Sequence, residues 1–393
     1  MRDCVDGVLT WFCSSTLNKA VAVLRLRMRI RVTGAGRFHG GVFRALPGLA
    51  LLFAGSVGAQ EANTVVDQIA AQFDRHPLVM LGELHRSREI HALLQRMLRD
   101  PAFVCRVDDL VVESGNARFQ SLVDSYVFGG DVSQASLANA WRETAVPLAW
   151  NSPLYRQVFV TLREVNRAHL CPRSVRVLLG DPPLNWSKIR NRDDYAPWTD
   201  RDGHYASVVQ REVLDKGHRA LLIAGEYHAM KTVPKDLQED PPEMTVAQIL
   251  ERDHPGALFS LVAVPQHEGA RALGMGKAPA FALVHGTPRE DMSYQFVDWD
   301  STVSREATNG SAVWTFTPDK HWPRTGDVVD GLLYLGGNHK VYPSPTIYLD
   351  PEYQRELRRR ATIIKAYSGQ DFMPMIDDLV REGERIRDTK RLH

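Results

Sequence analysis

The sequence predicts an α/β fold, a mainly parallel sheet flanked by helices and interrupted by longer helical insertions. Three observations predict it. Short apolar runs ending in glycine or a polar residue recur along the chain. They are continuous rather than alternating, as strands buried on both faces read. Helical patterns lie between several of them, and strand-helix alternation builds a parallel sheet.

In chain order the runs are "PLVMLGE" (77–83), "DLVVES" (109–114), "VRVLLGD" (175–181), "RALLIAGE" (219–226), "ALFSLVAV" (257–264), "FALVHG" (281–286) and "GLLYLGG" (331–337). After the first, Ile90, Leu93, Leu94, Met97 and Leu98 follow the spacing of an amphipathic helix, with Ser87 as a candidate N-cap. Arg88, His91 and Gln95 form a polar stripe opposite those apolar residues, which lets Arg88 reach the strand end and leaves His91 facing either a site or solvent. Helical insertions are expected near 117–169 and 183–218. Residues 205–217, "YASVVQREVLDKG", read as a helix closed by Gly217. The stretch 286–326 lacks periodicity and reads as loop. Two charged helices, with a solvated face, close the chain over 353–367 and 375–388.

Composition is that of a globular protein, 44% apolar and 24% charged over 393 residues. The net charge of +1 hides an asymmetry: residues 1–59 hold eight Lys/Arg and two acids, leaving 40 basic against 45 acidic residues in the rest. Nucleic acid therefore has no electrostatic support as a partner. From Met28, four arginines precede the 13-residue apolar stretch "ALPGLALLFAGSV", and Val57-Gly58-Ala59 supplies small residues before Gln60. This reads as a signal peptide over 28–59, with 1–27 a leader that fits no part of it. A spanning helix needs roughly 20 apolar residues. The mature chain, one domain over 61–393, is expected in the periplasm or secreted. Cys4 and Cys13 lie in the leader, so Cys105 and Cys171 are the remaining pair. Each precedes an apolar run, and if those runs are neighbouring parallel strands a disulfide is feasible; two buried thiols are the alternative.

Ligands of an open parallel sheet bind beyond the carboxyl ends of its strands. There the first run delivers Glu83 and His85, the second Glu113, the third Asp181, and the fourth Glu226, Tyr227 and His228. "GELH" and "GEYH" repeat one Gly-Glu-X-His core. A carboxylate beside an imidazole fixes its tautomer and makes it a general base. Alternatively His85, His228, Glu83 and Glu113 would suit Mn, Fe or Zn. The bland alternative has the acids capping helices.

These motifs, with "RDGHYA" (201–206), resemble the superfamily grouping erythromycin esterases, ChaN-like haem-binding lipoproteins and the TraB and Tiki proteins. The resemblance covers roughly 77–118 and 200–230. It implies Glu83, His85, Glu113 and His228 as core site residues, with Arg88 and Arg201 as anion-side partners. Its esterase members carry Glu-X-X-His where this chain has Glu-X-His, and "GELH" is closer to the ChaN and TraB form. Two readings follow. One is an exported hydrolase in which His85, paired to Glu83 or Glu113, activates water toward an ester or amide while His228 and Arg88 steady negative charge. The other is a haem- or metal-binding protein without turnover, with Tyr227 as ligand and Trp141, Trp150 and Trp186 walling an apolar pocket.

Overall fold

Both faces of the main sheet are apolar, which is why its strands need no alternation. In the computed structural model, which describes residues 64–238, 243–297, 303–308, 311–316 and 321–391, all seven runs become strands of one sheet. They are β1 (Leu78–Glu83), β2 (Asp109–Asn116), β3 (Arg176–Asp181), β4 (Ala220–Gly225), β5 (Leu258–Ala263), β6 (Ala280–Leu283) and, after a separate pair, β9 (Gly331–Tyr334). The spatial order is β3-β2-β4-β1-β5-β9-β6, parallel throughout except for β6, which runs against β9. The expected 1–27 leader and 28–59 signal segment, with Cys4 and Cys13, lie outside the described residues. Among those residues no helix is long and apolar enough to cross a membrane.

Successive side chains of a strand point to opposite faces. Accordingly Val79, Leu81, Leu110, Val112 and Leu221 join one apolar layer, and Leu78, Met80, Val111, Leu178 and Leu222 the other. Helices α1 (Arg88–Arg99), α2 (Gln120–Val127), α3 (Gln134–Arg142) and α4 (Pro153–Arg167) supply the first layer, and α5 (Arg201–Glu212) and α6 (Val246–Asp253) the second. Ser87 caps α1, its Oγ accepting the Ile90 N–H at 3.4 Å. Gly217 ends the segment after α5 in the left-handed conformation, φ 66°. The sulfurs of Cys105 and Cys171 are 2.00 Å apart, a bond between the segments that lead into the adjacent strands β2 and β3.

Two expectations need correction. The stretch 286–326 is not only loop, because β7 (Val303–Thr308) and β8 (Ser311–Phe316) pair as an antiparallel hairpin of their own. The sequence signal was present, since Asn309-Gly310 is the dipeptide that two-residue hairpins favour. The closing helices, α7 (Pro351–Ser368) and α8 (Met373–Arg391), are also not charged only toward solvent. Arg360 is buried, stacks over Trp186 and donates from Nη1 to the Arg142 carbonyl at 2.8 Å.

One glycine fixes how the rim is built. The short 3-10 helix Glu226–Ala229 that follows β4 lies against the end of β1, and a Cβ at Gly82 would meet Ala229 Cβ and Val262 Cγ1 at 2.9 Å and Glu226 Cα at 3.1 Å. Gly82→Ala is therefore expected to cost about 1–3 kcal/mol of stability through overpacking. Urea unfolding checks it, and an unchanged midpoint would mean that the turn shifts freely.

Candidate functional site

Parallel register carries four strand ends to one rim. Glu83 of β1 stands opposite Gly225 of β4, β4 lies between β1 and β2, and β3 follows β2. Across that rim the polar side chains sort into two groups with different chemistry.

The first group is closed. The Arg201 guanidinium, at the start of α5, bridges two strands: Nη2 donates to Glu113 Oε1 at 2.6 Å and Nε to Asp181 Oδ1 at 2.8 Å. The other oxygens of these acids accept backbone N–H groups, Glu113 Oε2 from Gly225 at 2.8 Å and Asp181 Oδ2 from Ala145 at 2.7 Å. His228 joins them with both ring nitrogens, Nδ1 to Asp202 Oδ1 at 2.7 Å and Nε2 to Glu113 Oε1 at 3.3 Å. Carboxylates on both sides require two N–H groups, so His228 is an imidazolium. Burial opposes that charge, but Asp202 and Glu113 outweigh it and push its pKa up to about 10. Burial likewise works against the Glu113 carboxylate, and the charges of His228 and Arg201 overcome it, holding the group well below the usual carboxylate range. For Asp181 burial prevails over Arg201, and its pKa is raised.

The second group is open. Glu83, almost fully buried, lies between two imidazoles: His85 Nδ1 is 3.0 Å from Oε1 and His91 Nε2 is 3.1 Å from Oε2. The His91 approach is close but poorly aligned, and neither His91 nitrogen forms a hydrogen bond. Burial would raise the Glu83 pKa; contact with His85 and His91 instead brings it down to about 2. An anionic Glu83 can only accept, so Nδ1 of His85 carries the proton and Nε2 is left with a lone pair in the neutral ring. The His85 side chain is 27% exposed against 2% for His91, so His85 alone of the two meets solvent. Its ring stands edge-on to Trp150 at 4.9 Å between centroids, and Trp150 packs edge-on to Tyr155.

The two Gly-Glu-X-His segments meet at Gly225. A Cβ there would lie 2.8 Å from both Cε1 and Nε2 of His85 and 3.5 Å from Cδ2 of His228. Only a glycine lets both rings approach the same strand end.

Of the residues expected here, Glu83, His85, Glu113, Asp181, Arg201 and His228 are brought together. Three are not. Arg88 is exposed and pairs with Glu89 at 3.3 Å, because the cap at Ser87 turns the first residue of α1 outward. Glu226 accepts the Tyr294 hydroxyl at 3.0 Å. Tyr227 is buried in the apolar layer on the α5 side of the sheet, its ring edge-on to His228. Trp141 and Trp186 are core; of the three tryptophans only Trp150 reaches a site histidine. Missed by sequence reasoning were Asp202, whose position beside Arg201 in "RDGHYA" was a usable signal, and Trp150 as a ring partner. Tyr155, Arg86 and Lys340, whose Nζ donates to the His85 carbonyl at 2.8 Å, had no local signal.

The expected metal ligands are divided between the two groups: Glu113 and His228 are engaged by Arg201, Asp202 and the Gly225 N–H, and Glu83 by His85 and His91. Among the described residues no cluster of three or more His, Cys, Asp or Glu side chains is arranged for one. Tyr227, the expected haem ligand, is buried among apolar side chains on the α5 side of the sheet.

No family model matches the chain, and no curated protein does. Similar solved structures include a Bacillus cereus protein (10% identity, 67% of this chain and 89% of that one, TM-score 0.41), a succinoglycan biosynthesis protein (10%, 73% and 99%, 0.45) and an erythromycin esterase mutant in its open conformation (13%, 70% and 94%, 0.41).

Removing the bridging cation, Arg201→Met, would leave Glu113 and Asp181 buried together and cost about 3–5 kcal/mol, read by chemical denaturation. His228 gives a pH signature. Its folded pKa of about 10 exceeds the ordinary histidine value of 6.5, so its contribution is complete below 6.5 and disappears as pH rises through 10. The stability gap between the wild type and His228→Asn should shrink over that interval; a constant gap would contradict the imidazolium assignment.

Proposed function

We propose that this protein is a hydrolase that uses water to cleave an ester or amide, with His85 as the general base. The observation that carries the reading is the asymmetry of the Glu83 pair: one imidazole is sealed, and the other, locked through Nδ1, presents Nε2 at the rim beside Gly225. A water at Nε2 gives its proton to the ring as its oxygen bonds to the substrate carbonyl carbon. The ring then returns that proton to the departing alcohol or amine as the carbon–leaving-group bond breaks. Glu83 stays ionised and steadies the transient imidazolium, which is the task of a carboxylate behind a general base.

His228 takes a different part from the one first expected. Its Nδ1–H donates to Asp202 and its Nε2 faces Glu113 Oε1 at 3.3 Å, so it serves to hold the turn after β4 in place. Arg201 is equally committed. The closed group is a buttress for Gly225, and the open group does the chemistry. Export to an oxidising compartment is proposed on separate grounds, supported by the basic and apolar composition of 28–59 and by the bonded Cys105–Cys171 pair.

Purified protein is expected to hydrolyse 4-nitrophenyl acetate or a related activated ester, and His85→Ala to lower kcat about 10²–10⁴-fold while its circular dichroism spectrum at the assay temperature stays that of the folded wild type. A wild type inert toward a panel of esters and amides, or an active His85→Ala, would remove the proposal.

A further inference from the structure

Arg86 follows the reactive histidine and is the anomaly of the rim. It has φ of 65°, a left-handed backbone that a side-chain-bearing residue adopts at a cost. Two hydrogen bonds hold it there: its N–H donates to the Tyr155 hydroxyl at 3.1 Å, and its carbonyl accepts the Val341 N–H at 2.9 Å. The strain turns the Arg86 side chain inward, where only 6% of the residue remains exposed. Buried cations are ordinarily paired. This one has no carboxylate within ion-pair distance among the described residues, and its only close partner there is the Tyr342 ring, 4.9 Å from the guanidinium carbon.

A second cation shares the neighbourhood. Burial pushes the Tyr348 phenol up, and the Arg86 and Arg142 charges oppose that rise. Arg142 also lacks a carboxylate partner among the described residues: its guanidinium lies over Tyr353 at 5.1 Å, and its Nε is buried without a hydrogen bond. By contrast Arg201 and Arg360, the comparably buried arginines, are each matched by acids at 2.6–2.8 Å. Tyrosine faces partly compensate a guanidinium but leave its N–H donors unfilled.

We infer that Arg86 is a receptor for an oxyanion, a carboxylate or phosphate carried by the substrate that His85 hydrolyses. The inference rests on the hydrolase reading for the word substrate, but the anion site stands on its own. A bidentate guanidinium suits such a group, and its position next to His85 would set the distance between the charged end of the substrate and the scissile bond. The specificity of the enzyme is then for acidic esters or amides, and the role first assigned to Arg88 belongs to the residue two places earlier.

Two arms test it. In the first, wild type and Arg86→Gln are compared on 4-nitrophenyl acetate and on 4-nitrophenyl hemiglutarate, whose acyl group ends in a carboxylate. The expected result is at least a tenfold rise in KM for the hemiglutarate alone. An equal loss of kcat on both esters would assign Arg86 to the transition state and overturn the inference, as would no effect on either. The second arm needs no activity, so it separates this inference from the hydrolase reading. Millimolar glutarate or inorganic phosphate should raise the Tm of the wild type and not that of Arg86→Gln, and whichever raises it names the oxyanion. Arg86→Gln should melt no lower than the wild type in anion-free buffer, because a residue kept for the fold would show the opposite. No Tm shift with either anion, or a shift that persists in Arg86→Gln, would end the proposal.

Discussion

A guanidinium between two strand ends makes the rim tenable. Glu113 and Asp181 terminate neighbouring parallel strands and are both buried, an arrangement that repulsion and desolvation would forbid without a matching cation. Arg201 supplies it from the first turn of α5, satisfying both acids with one planar group. His228 then adds a second positive charge, stabilised by Asp202 and Glu113. With the charges balanced, Glu113 can also accept the Gly225 N–H and fix the loop after β4.

The open group depends on where that loop lies. Gly225 is opposite Glu83 in the sheet register and has no side chain, so the ring of His85 can rest over it. Glu83 is held between two imidazoles, and only one of them reaches solvent. The division of labour is thus electrostatic: a sealed, charge-balanced group fixes geometry, while an incomplete one keeps a lone pair available. The same contrast distinguishes the arginines, since Arg201 is saturated by acids whereas Arg86 is buried against an aromatic face with no acid partner among the described residues.

The chain segment around 338–342 completes the rim from far away in sequence. Lys340 bonds the His85 carbonyl, the Val341 N–H bonds the Arg86 carbonyl, and Tyr342 lies beneath the guanidinium. This clamp holds the left-handed turn between β1 and α1. It also explains why the expected position of Arg88 was wrong: helical periodicity describes α1 but not the reversal before it, and the reversal decides which arginine points inward.

The sequence by itself determined the seven strands of the main sheet, its mainly parallel arrangement and the convergence of Glu83, His85, Glu113, Asp181 and His228, because burial on two faces leaves a continuous apolar run and a polar residue where the run must stop. It also indicated the Cys105–Cys171 bond as feasible through the same strand adjacency. Tertiary structure alone decided which of those polar groups are spent and which remain available. Arg201 bridging two acids, Asp202 behind His228, Tyr155 under Arg86, and Tyr227 and Glu226 turned away from the rim all depend on contacts between residues distant in the chain. Local pattern can place a charge at a strand end, but its partner is set by how the layers pack, and the partner determines whether it buttresses the fold or meets a substrate.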